Sequence, residues 1–152
     1  MKMNYLILFC TLFGISLISN AQIINEGDLK ISAGTDVYFG DEYTNKATGN
    51  HECDGNLYLN HNFINHGFTS AKSGTTFFKS TSKKPLVISG TSKAVNFYNL
   101  EIDVTSVTPN GLSVLNNLIL NVENKINLKN GNLKLLGTSQ LIQNTLKTPK
   151  NN

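Results

Sequence analysis

The 152-residue chain has no tryptophan, three prolines and two cysteines, and all 13 of its basic residues are lysines. Each scarcity excludes something. Without arginine there is no planar guanidinium fork to grip a carboxylate or phosphate through two parallel bonds. The lysines are scattered, the acids number 10 and the formal charge is only +3. No basic stripe results, which argues against a nucleic-acid partner. Of the two cysteines, Cys10 lies in an apolar run near the start and Cys53 stands alone downstream. Beyond that run no internal disulfide is available, so stability must come from packing and backbone hydrogen bonds. Convincing helical periodicity is also missing downstream, which excludes enzyme scaffolds built from alternating strands and helices.

Long apolar runs are scarce too. The one from Leu6 to Ser19 falls short of the ~20 residues that span a bilayer. It follows Lys2 and leads into Ser19-Asn20-Ala21, the charged, apolar and small-residue segments of a secretory signal peptide. Cleavage is expected after Ala21. Cys10 sits behind Leu8 and Phe9 inside the run, the wrong place for a lipid-anchoring cysteine. Cleavage leaves 131 residues with 12 lysines against 10 acids, enough for one domain with a core and without stable membrane insertion. The expected division is a signal peptide over 1–21, a repeat domain over 22–146 and a disordered tail over 147–152.

What the chain has in quantity is short alternation and asparagine. Gly27-Asp28-Leu29-Lys30-Ile31, Gly55-Asn56-Leu57-Tyr58-Leu59 and Gly131-Asn132-Leu133-Lys134-Leu135 share one phrase, and Asn110-Gly111-Leu112-Ser113-Val114 is a looser copy. A turn residue leads into a minimal strand with both apolar side chains on one face. Between these lie further period-2 runs, among them Leu86/Ile88, Val95/Phe97, Ile102/Val104 and Leu118/Leu120/Val122. The phrase recurs at spacings nearer 20 to 30 residues, the length of a coil, than the 8 to 12 of a hairpin-linked sandwich. Asn110, Asn116, Asn117, Asn121, Asn124, Asn127, Asn130 and Asn132 are read as turn residues that tolerate left-handed backbone and as amides that stack into ladders between coils. The reading is an all-β single domain, a parallel β-solenoid of the right-handed β-helix kind. A β-sandwich is the alternative.

The stretches GNLYLNHNFINHGFTSAKSGTTFFKS, PLVISGTSKAVNFYNLEID and LILNVENKINLKNGNLKLLGTSQLIQ resemble the N-terminal β-helix-like repeat region of large surface or secreted proteins of Bacteroidota, exported by the type IX secretion system. The resemblance covers about residues 27 to 143. It implies export, further domains and a C-terminal sorting domain. No sorting domain follows the repeats here, so the chain looks truncated relative to that group, and the periplasm becomes a second expected end point.

All three histidines and Cys53 fall within Asn50–Gly67. His51 and Cys53 are two apart and would share one side of a strand, half of a metal site. The spacing of His51, Cys53, His61 and His66 fits no ligand pattern, and His61 and His66 occupy turn positions. Asp36, Asp41, Glu42 and Asp54 flank turns without a calcium-loop pattern. Lys72, Lys79, Lys83, Lys84 and Lys93 lie on a polar stretch without clustered acids, and no serine sits in a nucleophile elbow. No catalytic residue, metal ligand or cofactor is therefore assigned. The expectation is a non-enzymatic exported stalk or adhesive surface that meets glycans or surface proteins, with Tyr38, Tyr43, Tyr58 and Tyr98 as candidate contacts. A glycan-binding module or polysaccharide-degrading β-helix is the alternative. An open solenoid end around Leu133 to Ile142 is expected to self-associate.

Overall fold

The computed structural model describes residues 22–81, 85–105, 111–115 and 117–144. The expected signal peptide, Lys83, Lys84, Asn110, Asn116 and the tail lie outside them. Each short apolar-alternating run becomes a strand, and the chain winds as an all-β solenoid of about five turns. The first coil holds β1 (Gln22–Asn25), β2 (Asp28–Ile31) and β3 (Asp36–Phe39). The second holds β4 (Glu42–Asn45), β5 (Asn50–Cys53) and β6 (Asn56–Leu59), and the third β7 (Phe63–Asn65), β8 (Phe68–Ser70) and β9 (Thr75–Ser80). Next come β10 (Leu86–Ser89) with β11 (Ala94–Val104), then β12 (Gly111–Val114) with β13 (Ile119–Asn130), and last β14 (Asn132–Leu135) with β15 (Gln140–Gln143).

Strands stack in register into one six-stranded sheet from β1 to β14, a second from β3 to β15, and a three-stranded sheet β2-β5-β8. Every pairing is parallel, which a hairpin-built sandwich does not allow. The early coils turn three corners. In the later ones β11 and β13 run through the corner between two faces, and their register shifts between Phe97 and Asn99 as the strand bends. Their first halves continue above the three-stranded face. The contact with β8 is made by side chains, because Asn96 donates its backbone N–H to Thr69 Oγ1 at 2.8 Å and its amide to the Thr69 carbonyl at 2.7 Å.

Inward residues align along the axis because the period-2 phase is kept from rung to rung. Ile23, Tyr43, Phe63, Ile88, Val114 and Leu135 form one such column. Tyr43 and Phe63 stack at 5.0 Å. A facing column runs Phe39, Leu59, Phe78, Ile102 and Leu128. One coil cannot enclose a core, so these columns are what make the fold stable. At one corner the column is polar. Asn25 donates to Asn45 at 2.9 Å, and Asn45 to Asn65 at 2.8 Å. Asn45 and Asn65 are both fully buried. Asn45 also donates to the Phe68 carbonyl at 3.0 Å, tying the ladder to the neighbouring face. A Cβ on Gly67 would collide with the Gly49 carbonyl oxygen and the Asn45 amide, so the ladder requires glycine beside it.

Two expectations need correction. The three copies of the G-[DN]-L phrase do not stack on one another. They form β2, β6 and β14, on three different faces, so these copies mark a corner followed by a strand; the looser copy at Gly111 does stack on the third, with Leu112 beside Leu133. Rungs are instead set by the pairing register, which advances 20 residues from Tyr43 to Phe63 and 25 from Phe63 to Ile88. Asn121, Asn124, Asn127, Asn130 and Asn132 also do not sit in turns, since the first four lie within β13 and Asn132 begins β14. Asn117 alone among the described non-glycine residues has a left-handed φ, at 61°. The ladder expectation holds, because Asn121 donates to Asn96 at 2.7 Å and Asn124 to Asn99 at 2.8 Å.

Candidate functional site

The interior of β5 has the most perturbed chemistry. Alternation points His51 and Cys53 inward, beneath the same wall as Leu29 and Ile31. His51 is 1% exposed and its Nδ1 lies 2.9 Å from Tyr43 Oη. Burial lowers its pKa to about 4, so the imidazole is neutral and shares one hydrogen bond with the phenol. Its other ring nitrogen, Nε2, is a buried atom with no hydrogen-bond partner among the described residues. Burial also pushes the Tyr43 phenol up, with the Asn25 amide pulling slightly the other way. It raises the Cys53 thiol to about 11, well away from a reactive thiolate. Tyr43, expected as a surface contact, is a core residue at 0% exposure. Its neighbours Thr44 and Asn45 are buried as well, so simple alternation fails along this strand.

His61 and His66 lie in turns, and His66 Nδ1 accepts from the Thr91 backbone N–H at 3.2 Å. Neither reaches His51. Among the described residues no group of three or more His, Cys, Asp or Glu comes together. Acidic side chains instead brace successive rungs. Asp36 accepts from Asn56 at 2.8 Å, Glu42 from Asn62 at 3.2 Å and Glu101 from Asn127 at 2.8 Å. Asp54 accepts from the Lys72 backbone N–H at 2.7 Å, with no lysine ammonium in the contact. Asp103 accepts from Asn130 and Lys129, and these two hold its carboxyl below the usual range.

The outer face of β3, β6 and β9 presents a different feature. Tyr38, Tyr58 and Phe77 occupy one outward column and stack face to face, at 4.3 Å and 4.4 Å with rings within 7° of parallel. Beside them a groove of about 500 Å³ is lined by Tyr38, Tyr58, Asn60, His61, Lys79 and Ser80 among others. Tyr58 is covered by a ring on each face, whereas Tyr38, 69% exposed at the end of the row, keeps an open face. Two of the four expected tyrosines therefore meet here, and Tyr98 sits at the bend of β11. Phe77 was missed because Phe77-Phe78 reads as a pair, and only the register shows which ring points out. Comparison of the chain with protein-family models, curated proteins and solved structures finds no match.

Proposed function

We propose that this chain is a non-enzymatic solenoid segment of an exported protein, a rigid spacer with an adhesive flank at the cell surface or in a secreted product. The observation that carries the reading is the use of its polar side chains. Asp28 with Asn50, Lys30 with Glu52, Asp36 with Asn56 and Glu101 with Asn127 all bond along the axis to the next rung. Groups that an enzyme would gather into a cleft are here spent on joining coils. The signal-peptide layout of residues 1–21 and the resemblance to type IX-exported repeat regions support the export part. Tagging the chain and probing intact cells with an impermeant label tests it. Surface labelling and shed protein fit the proposal, while a tag found only in the cytoplasm sinks it. Sequencing the genomic DNA beyond the Asn152 codon asks whether more strands and a sorting domain continue the reading frame.

A second reading, a glycan-binding module, draws on the groove beside Tyr38. Carbohydrate rings stack on aromatic faces, and Tyr38 and Lys79 both line the groove, a combination suited to an acidic saccharide. On this reading a glycan array returns acidic saccharides whose binding Tyr38→Ala and Lys79→Ala both abolish. An array without hits leaves the spacer reading alone.

A further inference from the structure

We propose that Tyr38 and Tyr58 form a site of oxidative modification, two phenols placed to join as a dityrosine cross-link that fastens the first coil to the second. The placement follows from strand pairing. β3 and β6 run parallel with Tyr38 opposite Tyr58, so the two side chains leave the sheet from neighbouring rungs about 5 Å apart. Their rings lie face to face, with centroids 4.3 Å apart and planes 7° from parallel. Among the described residues no other two tyrosines are in ring contact, since Tyr43 packs on Phe39, His51 and Phe63 in the core.

The neighbours of the pair decide what each ring meets. Phe77 lies on the far face of Tyr58 at 4.4 Å. It has no hydroxyl to lose a proton, so the row of three rings holds one pair that can couple. It also shields Tyr58 from that side, which leaves Tyr38 as the phenol in contact. Tyr38 is 69% exposed, and both tyrosines line the open groove of about 500 Å³, where a small oxidant reaches them. Tyr43, at 0% exposure, is out of its reach.

The reaction balances with a peroxide as the oxidant. Each phenol gives up one electron and one proton, and the two phenoxyl radicals join by a carbon–carbon bond between ring positions next to the oxygens. The hydrogens on the joined carbons pass to the oxygens as the rings regain aromaticity. The pair has then lost two hydrogens, and one hydrogen peroxide takes them up to become two waters. Tyr38 is the ring that moves into bonding distance, because it ends the row with its outer face open. Rings already held in contact turn a chance encounter of two chains into a step within one.

The bond would act where the fold is weakest. An end coil has a neighbour on one side only, and Cys53 is the one cysteine among the described residues, so no disulfide ties these coils together. A bond from Tyr38 to Tyr58 closes the loop through β4 and β5 and restrains the unfolded chain as a disulfide does. The inference depends on neither export nor glycan binding.

The purified chain is treated with hydrogen peroxide and a haem peroxidase, and the monomer is isolated and mapped by tandem mass spectrometry. It should gain the blue fluorescence of dityrosine and lose two hydrogens, with the bond located at Tyr38 and Tyr58. Tyr38→Phe and Tyr58→Phe keep the rings and should each abolish this product, whereas Tyr98→Phe should leave its yield unchanged. Circular dichroism confirms that each variant is folded. Oxidation of the urea-unfolded chain should give about tenfold less of it, because nothing then holds the rings together. The joined monomer should need more urea to unfold than the untreated one. A treated monomer that keeps all its hydrogens overturns the proposal, as does coupling only between copies or mainly at Tyr43 or Tyr98. Equal yield from the unfolded chain, or a joined monomer no harder to unfold, overturns it too.

Discussion

At the scale of single residues, the interior is governed by side chains that cannot leave it. His51 is neutral because charging it would strand an imidazolium in the core. An unfolded histidine takes a proton near its ordinary pKa of 6.5, the folded one only near 4. Between those values the unfolded chain binds more protons, so stability is full above pH 6.5 and falls as the pH drops towards 4. The loss from this one group between neutral pH and about pH 5 is about 2 kcal/mol. Urea titrations across that range should show it, and His51→Phe should flatten the slope by that amount. An unchanged slope would mean the imidazole is not held neutral. Asn45 is the second such residue, with both amide hydrogens and its oxygen engaged. Asn45→Ala should cost about 3 kcal/mol in denaturant unfolding, because it leaves buried acceptors above it unpaired. A loss below about 1 kcal/mol, the scale of an ordinary exposed hydrogen bond, would show that the ladder is incidental.

At the scale of elements, the strands hold through vertical contacts, and a substitution at mid-stack removes two of them. Phe63 packs on Tyr43 below and aligns with Ile88 above. Phe63→Ala should lower stability by about 4 kcal/mol, near the top of the range for buried aromatics, whereas Ile23→Ala at the partly buried end of the same column should cost far less. Equal losses would contradict a core centred on the middle rungs. The strands themselves were legible wherever alternation was clean, as in Leu86/Ile88 and Val95/Phe97, since period 2 with one face buried leaves a direct imprint. The inward pairing of His51 with Cys53 was also legible from alternation. What was hidden depended on register. The matching phrases at Gly27, Gly55 and Gly131 carry no label for the face they start, because any corner of the tube needs the same turn chemistry. Tyr43 was misjudged as a surface contact because Glu42-Tyr43-Thr44-Asn45 buries three consecutive side chains. Phe77 became part of the outer row only once β9 was aligned with β6.

At the scale of the whole molecule, stability is a sum over neighbouring rungs, and the end rungs have a neighbour on one side only. Local opening should therefore begin at the ends. Fully buried residues concentrate between Tyr43 and Val122, whereas β15 is exposed along its whole length and β1 along half of it. Native-state hydrogen exchange on a dilute sample should give the slowest amides in β7, β10 and β12, with β1, β14 and β15 exchanging first. Slowest exchange at either end would contradict a stack held together from its middle rungs.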